Sequence, residues 1–161
     1  MKVRFPSLGA EWAVLGFCAW QASDLLTAWR HSPFDRWGWL AFGIWLAPTL
    51  AAAFGFHAPR PTTPRTPRLA WLALAVCLAG VLTDMHFLKH GALALACAAV
   101  TPFCGLGSLW LVLSLAWMPA LGWLLGGLSL FGVASTRLAL AALAALMGLA
   151  GMRPAFRRVP E

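Results

Sequence analysis

Charge is what this 161-residue sequence has least of: 11% of its residues are Asp, Glu, Lys or Arg, and only five are acidic. An ordinary soluble domain carries about 25% charged and about 45–50% apolar residues, whereas 61% are hydrophobic here and the mean hydropathy is +0.77. So little charge cannot cover a compact body in water. That excludes an ordinary soluble globule and points to the bilayer as the solvent. Cysteine is also scarce. Cys18, Cys77, Cys97 and Cys104 lie within or at the ends of apolar runs and form no CxxC pair. The sequence thus supports neither a disulfide scaffold nor a structural zinc site. Acidic counter-charge is short as well, leaving a net charge of +7. The basic residues sit in short loops and tails between apolar runs, where they set membrane topology, and nucleic acid is not a partner. Tyrosine is absent and arginine outnumbers lysine ten to two, but neither skew carries a function.

What is present is a succession of apolar runs. They predict an all-α, polytopic integral membrane bundle of about six transmembrane helices, with a cytoplasmic N-terminus, in a bacterial inner (plasma) membrane. The spans are 9–29, 37–56, 69–84, 91–103, 108–118 followed by a re-entrant or half-helix at 120–131, and 137–152. Lys2, Arg4 and the run Trp12–Trp20 have the outline of a signal peptide. Glu11 and the lack of a small-x-small cleavage site make it a retained first helix instead. Asp24 falls in the outer half of that helix. A charge at mid-membrane costs about 2.5–3.5 kcal/mol, so Asp24 is placed near the interface or against other helices. Pro48 predicts a kink that neighbouring helices can tolerate. Residues 57–68, with four prolines and three arginines, read as an extended cytoplasmic linker.

Counting basic residues fixes the orientation. With the N-terminus inside, Lys2, Arg4, Arg60, Arg65, Arg68, Arg153, Arg157 and Arg158 face in, and Arg30, Arg36, Lys89 and Arg137 face out. Eight against four satisfies the positive-inside rule. A second full crossing within 108–137 would move the C-terminal tail outside.

This topology gathers Asp24, His31, Asp35, Asp84, His86 and His90 at the outer face. Asp84-x-His86-x-x-x-His90 has metal-ligating residue types, and on a continuous helix the two imidazoles would share a face. His31 is the other histidine on that side. A third ligand at clear spacing is missing, so the sequence assigns no metal, haem or other cofactor, and Asp84, His86, His90 and His31 stand as the candidates. His90, Cys97 and Cys104 recur at sevens as a packing stripe. No cysteine is placed as an outer-face nucleophile, because Cys104 is remote from Arg and His while Cys18 and Cys77 are mid-helix. No catalytic residue is assigned. Gly122-x-x-x-Gly126, and Ala141, Ala144, Ala145 and Gly148, would let helices approach closely, within this chain, with a second copy or with another membrane protein. Trp37, Trp39, Trp110, Trp117 and Trp123 lie near span ends, as interfacial belts do.

Four stretches, taken in order, carry a resemblance. The first helix leads into Trp29-Arg30-His31-Ser32-Pro33-Phe34-Asp35-Arg36-Trp37-Gly38-Trp39-Leu40. The basic, proline-containing loop 57–68 comes next, then Phe87-Leu88-Lys89-His90-Gly91-Ala92-Leu93 opens an Ala/Leu-rich helix. Finally Trp117-Met118-Pro119-Ala120-Leu121-Gly122-Trp123 makes an outer-face proline turn. In this order they resemble the N-terminal half of the exosortase/archaeosortase family, polytopic membrane cysteine transpeptidases that process sorting signals. The resemblance covers residues 9–123. Where the family has its Ala-Cys-Ser-Gly-like motif, this chain has Val133-Ala134-Ser135-Thr136-Arg137, without cysteine. The resemblance therefore implies a truncated, non-catalytic relative, accessory to protein sorting or envelope export. Two alternatives are a small accessory subunit of a larger respiratory or transport complex, and a metal or haem redox protein built on the outer-face histidines.

Overall fold

A computed structural model describes residues 9–53, 65–101 and 107–151, and every regular element among them is helical. In chain order these are α1 (Ala10–Gln21), α2 (Asp24–His31), α3 (Gly38–Ala53), α4 (Arg65–Leu82) and α5 (His86–Val100). After them come α6 (Gly107–Val112), a 3-10 turn (Leu113–Ala116), α7 (Pro119–Leu124) and α8 (Leu130–Gly151). Leu130–Ala150 is the one helix among the described residues long and apolar enough to cross a membrane by itself. The 22 residues of α8 extend about 33 Å. Shorter apolar stretches occupy Gly38–Ala51, Pro67–Leu82 and His86–Val100.

The helices pack in two groups. α1, α4 and α5 lie against one another, and α3, α6, the 3-10 turn and α8 form the second group. Alanine lets the first group close tightly: Ala73 on α4 and Ala92, Ala94, Ala96 and Ala99 on α5 are buried. Gly80 on α4 brings its backbone against Leu88 and Lys89, where a Cβ would sit 3.0 Å from both. In the second group Trp45 pairs with Trp110, and Asp35 and Pro48 meet Arg137 and Gly148. The last two pairs ascend together in both sequences, so α3 and α8 run parallel. The groups are joined by Thr49 and Thr101, whose hydroxyls lie 2.8 Å apart. Because Thr101 donates to the Cys97 carbonyl, its oxygen is left to accept from Thr49. They are joined again by α2, which starts at α5 and ends against α3 and α7.

Several expectations shift. The first span is broken at Ala22–Ser23, where three-residue backbone bonds (Ser23 N–H to Trp20 O, Leu25 N–H to Ala22 O) replace helical ones. The break frees Asp24 to open α2. Residues 86–90, left between the expected spans 69–84 and 91–103, form the first turn of α5. Arg65–Arg68, expected in the linker, open α4; Pro67 fits there because a first-turn N–H has no helical acceptor. Positions 57–64 lie outside the described residues, as does Cys104. The half-helix expected at 120–131 is only the six residues of α7. The largest change is at the last helix, which begins at Leu130 rather than 137. That places Arg137 inside α8 and fully buried, where an outer loop was expected.

Candidate functional site

Among the described residues, two of the six buried polar ones, Asp35 and Arg137, pair where α8 faces the turn before α3 and the start of α7. The origin of that site is a backbone problem. The 3-10 turn ends at Ala116, and Pro119 has no N–H to continue a helix. The carbonyls of Ala116 and Trp117 are left facing an apolar interior, where each unpaired group would cost several kcal/mol, while Met118 O already accepts the Leu121 N–H at 3.1 Å. Two side chains supply the donors. Arg137 Nη1 donates to Ala116 O at 2.9 Å and to Met118 O at 3.0 Å. Trp29 Nε1 donates to Trp117 O at 3.1 Å.

The rest of the Arg137 guanidinium binds the turn between α2 and α3. Nε donates to Phe34 O at 3.2 Å, and Nη2 donates to the buried carboxylate of Asp35. Four of the five N–H donors of Arg137 therefore end on protein acceptors. Gly122 makes room for this: a Cβ there would stand 3.1 Å from Asp35 Oδ1 and 3.2 Å from Arg137 Nη2. Gly122 of the Gly122-x-x-x-Gly126 motif thus serves an ion pair, whereas Gly126 meets only the Trp123 and Gly122 carbonyls. Ala141, Ala144 and Ala145 are buried, and Gly148 accommodates Pro48 and Trp110, so this stripe does pack helix on helix.

Beneath the ion pair lies an aromatic cluster of Trp29, Phe42, Trp45, Trp110 and Trp117. Trp45 and Trp110 stack with centroids 3.9 Å apart and exchange indole-to-carbonyl hydrogen bonds of 2.9 and 3.0 Å. Trp110 and Trp117 are thereby core residues, correcting the interfacial-belt reading for them. Trp37, Trp39 and Trp123 are exposed.

A second polar cluster lies at the start of α2. Asp24 Oδ2 is 2.8 Å from His86 Nδ1 and 3.0 Å from His90 Nε2. An ionised carboxylate only accepts, so each imidazole donates from the nitrogen it presents. Asp24 Oδ1 is buried with no hydrogen-bond partner among the described residues. The i,i+4 spacing does bring His86 and His90 onto one face, with centroids 6.5 Å apart. Their acid is Asp24, which the candidate set omitted, whereas Asp84 is exposed and pairs with Lys89 at 3.0 Å. His31 stands at the far end of α2, about 10 Å along its axis, with Nδ1 2.9 Å from Thr27 O. Among the described residues no trio of His, Cys, Asp and Glu is arranged to hold a metal ion.

Cys18, Cys77 and Cys97 are buried free thiols on α1, α4 and α5, in the helix group opposite Arg137. Sequence reasoning missed the Asp35–Arg137 pair. Its signal was Arg137 itself, the one charged residue between Lys89 and Arg153. No family model, curated protein or solved structure matches this chain.

Proposed function

We propose that this protein is a six-crossing membrane bundle acting as a non-catalytic accessory subunit. One observation carries the membrane reading: the polarity is inverted. Asp35, Thr49, His90, Thr101, Ser114 and Arg137 are buried, while Trp20, Trp71, Leu82, Trp123 and Phe131 are between 67% and 92% exposed. In water such apolar coverage would far exceed the patches a monomer tolerates. In a bilayer it is the expected outer surface, with polar groups paired inside. The crossings are α1 with α2, α3, α4, α5, α6 with the 3-10 turn, and α8; α7 is the re-entrant piece.

The accessory role is supported by how the polar groups are occupied. Arg137 holds backbone and Asp35 and has one donor left, so it serves structure. Trp123, at 92% exposure, and Phe131, at 82%, flank the α7–α8 connection and offer an apolar contact surface. The exosortase-like order of turns points the assembly toward protein sorting or envelope export. A respiratory or transport assembly suits the same surface, and the identity of the partner separates the two. Purification of the tagged chain in mild detergent, with mass measurement and protein identification, tests this reading. A stoichiometric membrane partner is the expected result; a monodisperse monomer contradicts it.

A further inference from the structure

Alongside α2 and the turn after it lies an open cavity of about 310 Å3, lined by Leu26, Trp29, Arg30, Arg36 and Trp39. Arg30 is in the last turn of α2 and Arg36 in the following turn, and both are exposed. Neither has an ion-pair partner among the described residues. The acids nearest in sequence are committed elsewhere, Asp35 to Arg137 and Asp24 to His86 and His90. The negative end of the α2 dipole accounts for Arg30, but Arg36 lies beyond the helix. Two unneutralised guanidiniums on one cavity repel each other and favour an anion between them.

The remaining walls are apolar. Leu26 is 56% and Trp39 57% exposed, while the lining residue Trp29 is buried, packed on Phe42 with its indole N–H on Trp117 O. A bare inorganic anion would satisfy the arginines and leave these walls uncovered, whereas an amphiphile with an anionic head meets both. We infer that this cavity binds the phosphate headgroup of an anionic membrane lipid. Arg30 and Arg36 grip the phosphate, and the first carbons of the lipid lie over Leu26 and Trp39. The volume is at the small end for ligand sites, suited to a headgroup and not to a whole lipid. This inference rests on the membrane reading above.

The test uses the full chain, delipidated in mild detergent, with phosphatidylglycerol retention read by native mass spectrometry. R30Q/R36Q is expected to lose at least about tenfold in retention. K89Q, which removes a charge elsewhere, should match the parent, and excess inorganic phosphate should not displace the lipid. Should the double variant elute differently from the parent, R36Q alone, altered outside any helix, carries the test. Unchanged retention in the arginine variants, an equal loss in K89Q, or displacement by phosphate alone each overturns the proposal. Release of the parent chain from membranes by alkaline carbonate would instead overturn the membrane reading on which it rests.

Discussion

Arg137 and Asp35, 102 residues apart in sequence, form a buried ion pair that ties α8 to the turn between α2 and α3. Removing one partner strands the other charge away from solvent, so R137Q is expected to cost about 3–5 kcal/mol. R137Q/D35N, which leaves no stranded charge and keeps an amide donor at position 137, should cost less than R137Q alone despite carrying two changes. Thermal unfolding of the variants in mild detergent checks the order. R137K should fall between the parent and R137Q, because its ammonium keeps a charge opposite Asp35 but cannot serve acceptors on Phe34, Ala116 and Met118 as well.

The glycines divide into two kinds. A Cβ on Gly148 would stand 2.5 Å from Pro48 Cγ, and one on Gly38 would stand 2.2 Å from Trp29 Nε1. G148A and G38A are expected to destabilise by about 1–3 kcal/mol, with G38A also displacing the indole from Trp117 O. G43A and G91A, where a Cβ meets nothing within 4 Å, should be neutral or stabilising by about 0.5–1 kcal/mol. Unfolding midpoints of the four variants in one detergent make the comparison.

Asp84 carries the one positive φ (51°) at a non-glycine position among the described residues. It closes α4 in a Schellman turn, with Met85 N–H bonded to Gly80 O at 2.9 Å and Asp84 N–H to Val81 O at 3.4 Å. D84V should cost about 1–2 kcal/mol through its branched Cβ in the left-handed region, and D84G should be tolerated. The hydrogen bond from Lys89, reinforced by its charge, holds the Asp84 carboxyl below its ordinary value of 3.8. A depressed carboxylate stabilises the fold above its unfolded pKa and loses that contribution as pH falls through the lower folded value. Melting curves should therefore separate the parent from D84N at neutral pH and converge on acidification below 3.8.

Much of this architecture is legible in the sequence. The all-helical class and the break at Pro119 each appear where their chemistry places them. The start of α8 is not legible, because Gly132, Ser135 and Thr136 look like helix breakers. In the structure both hydroxyls turn back to the Gly132 carbonyl, at 3.1 and 2.8 Å, and the helix continues through them. Trp110 reads as interfacial until Trp45, 65 positions earlier, is seen to exchange hydrogen bonds with it. The partnership of Asp24 with His90 spans 66 residues, and Asp84 was simply the closer acid in sequence. Local spacing identifies which groups want partners. Only the packing of the two helix groups decides which partners they get.

The membrane reading is tested most directly by topology. Single cysteines at Ser32, Thr83 and Ser129, and one at Thr62 in the 57–68 linker, would be introduced into a cysteine-free background. Each variant is labelled in intact cells with a membrane-impermeant maleimide. The account predicts labelling at 32, 83 and 129 without permeabilisation, and at 62 only after it. Labelling of all four positions alike, or a split among the first three, would contradict the six-crossing bundle.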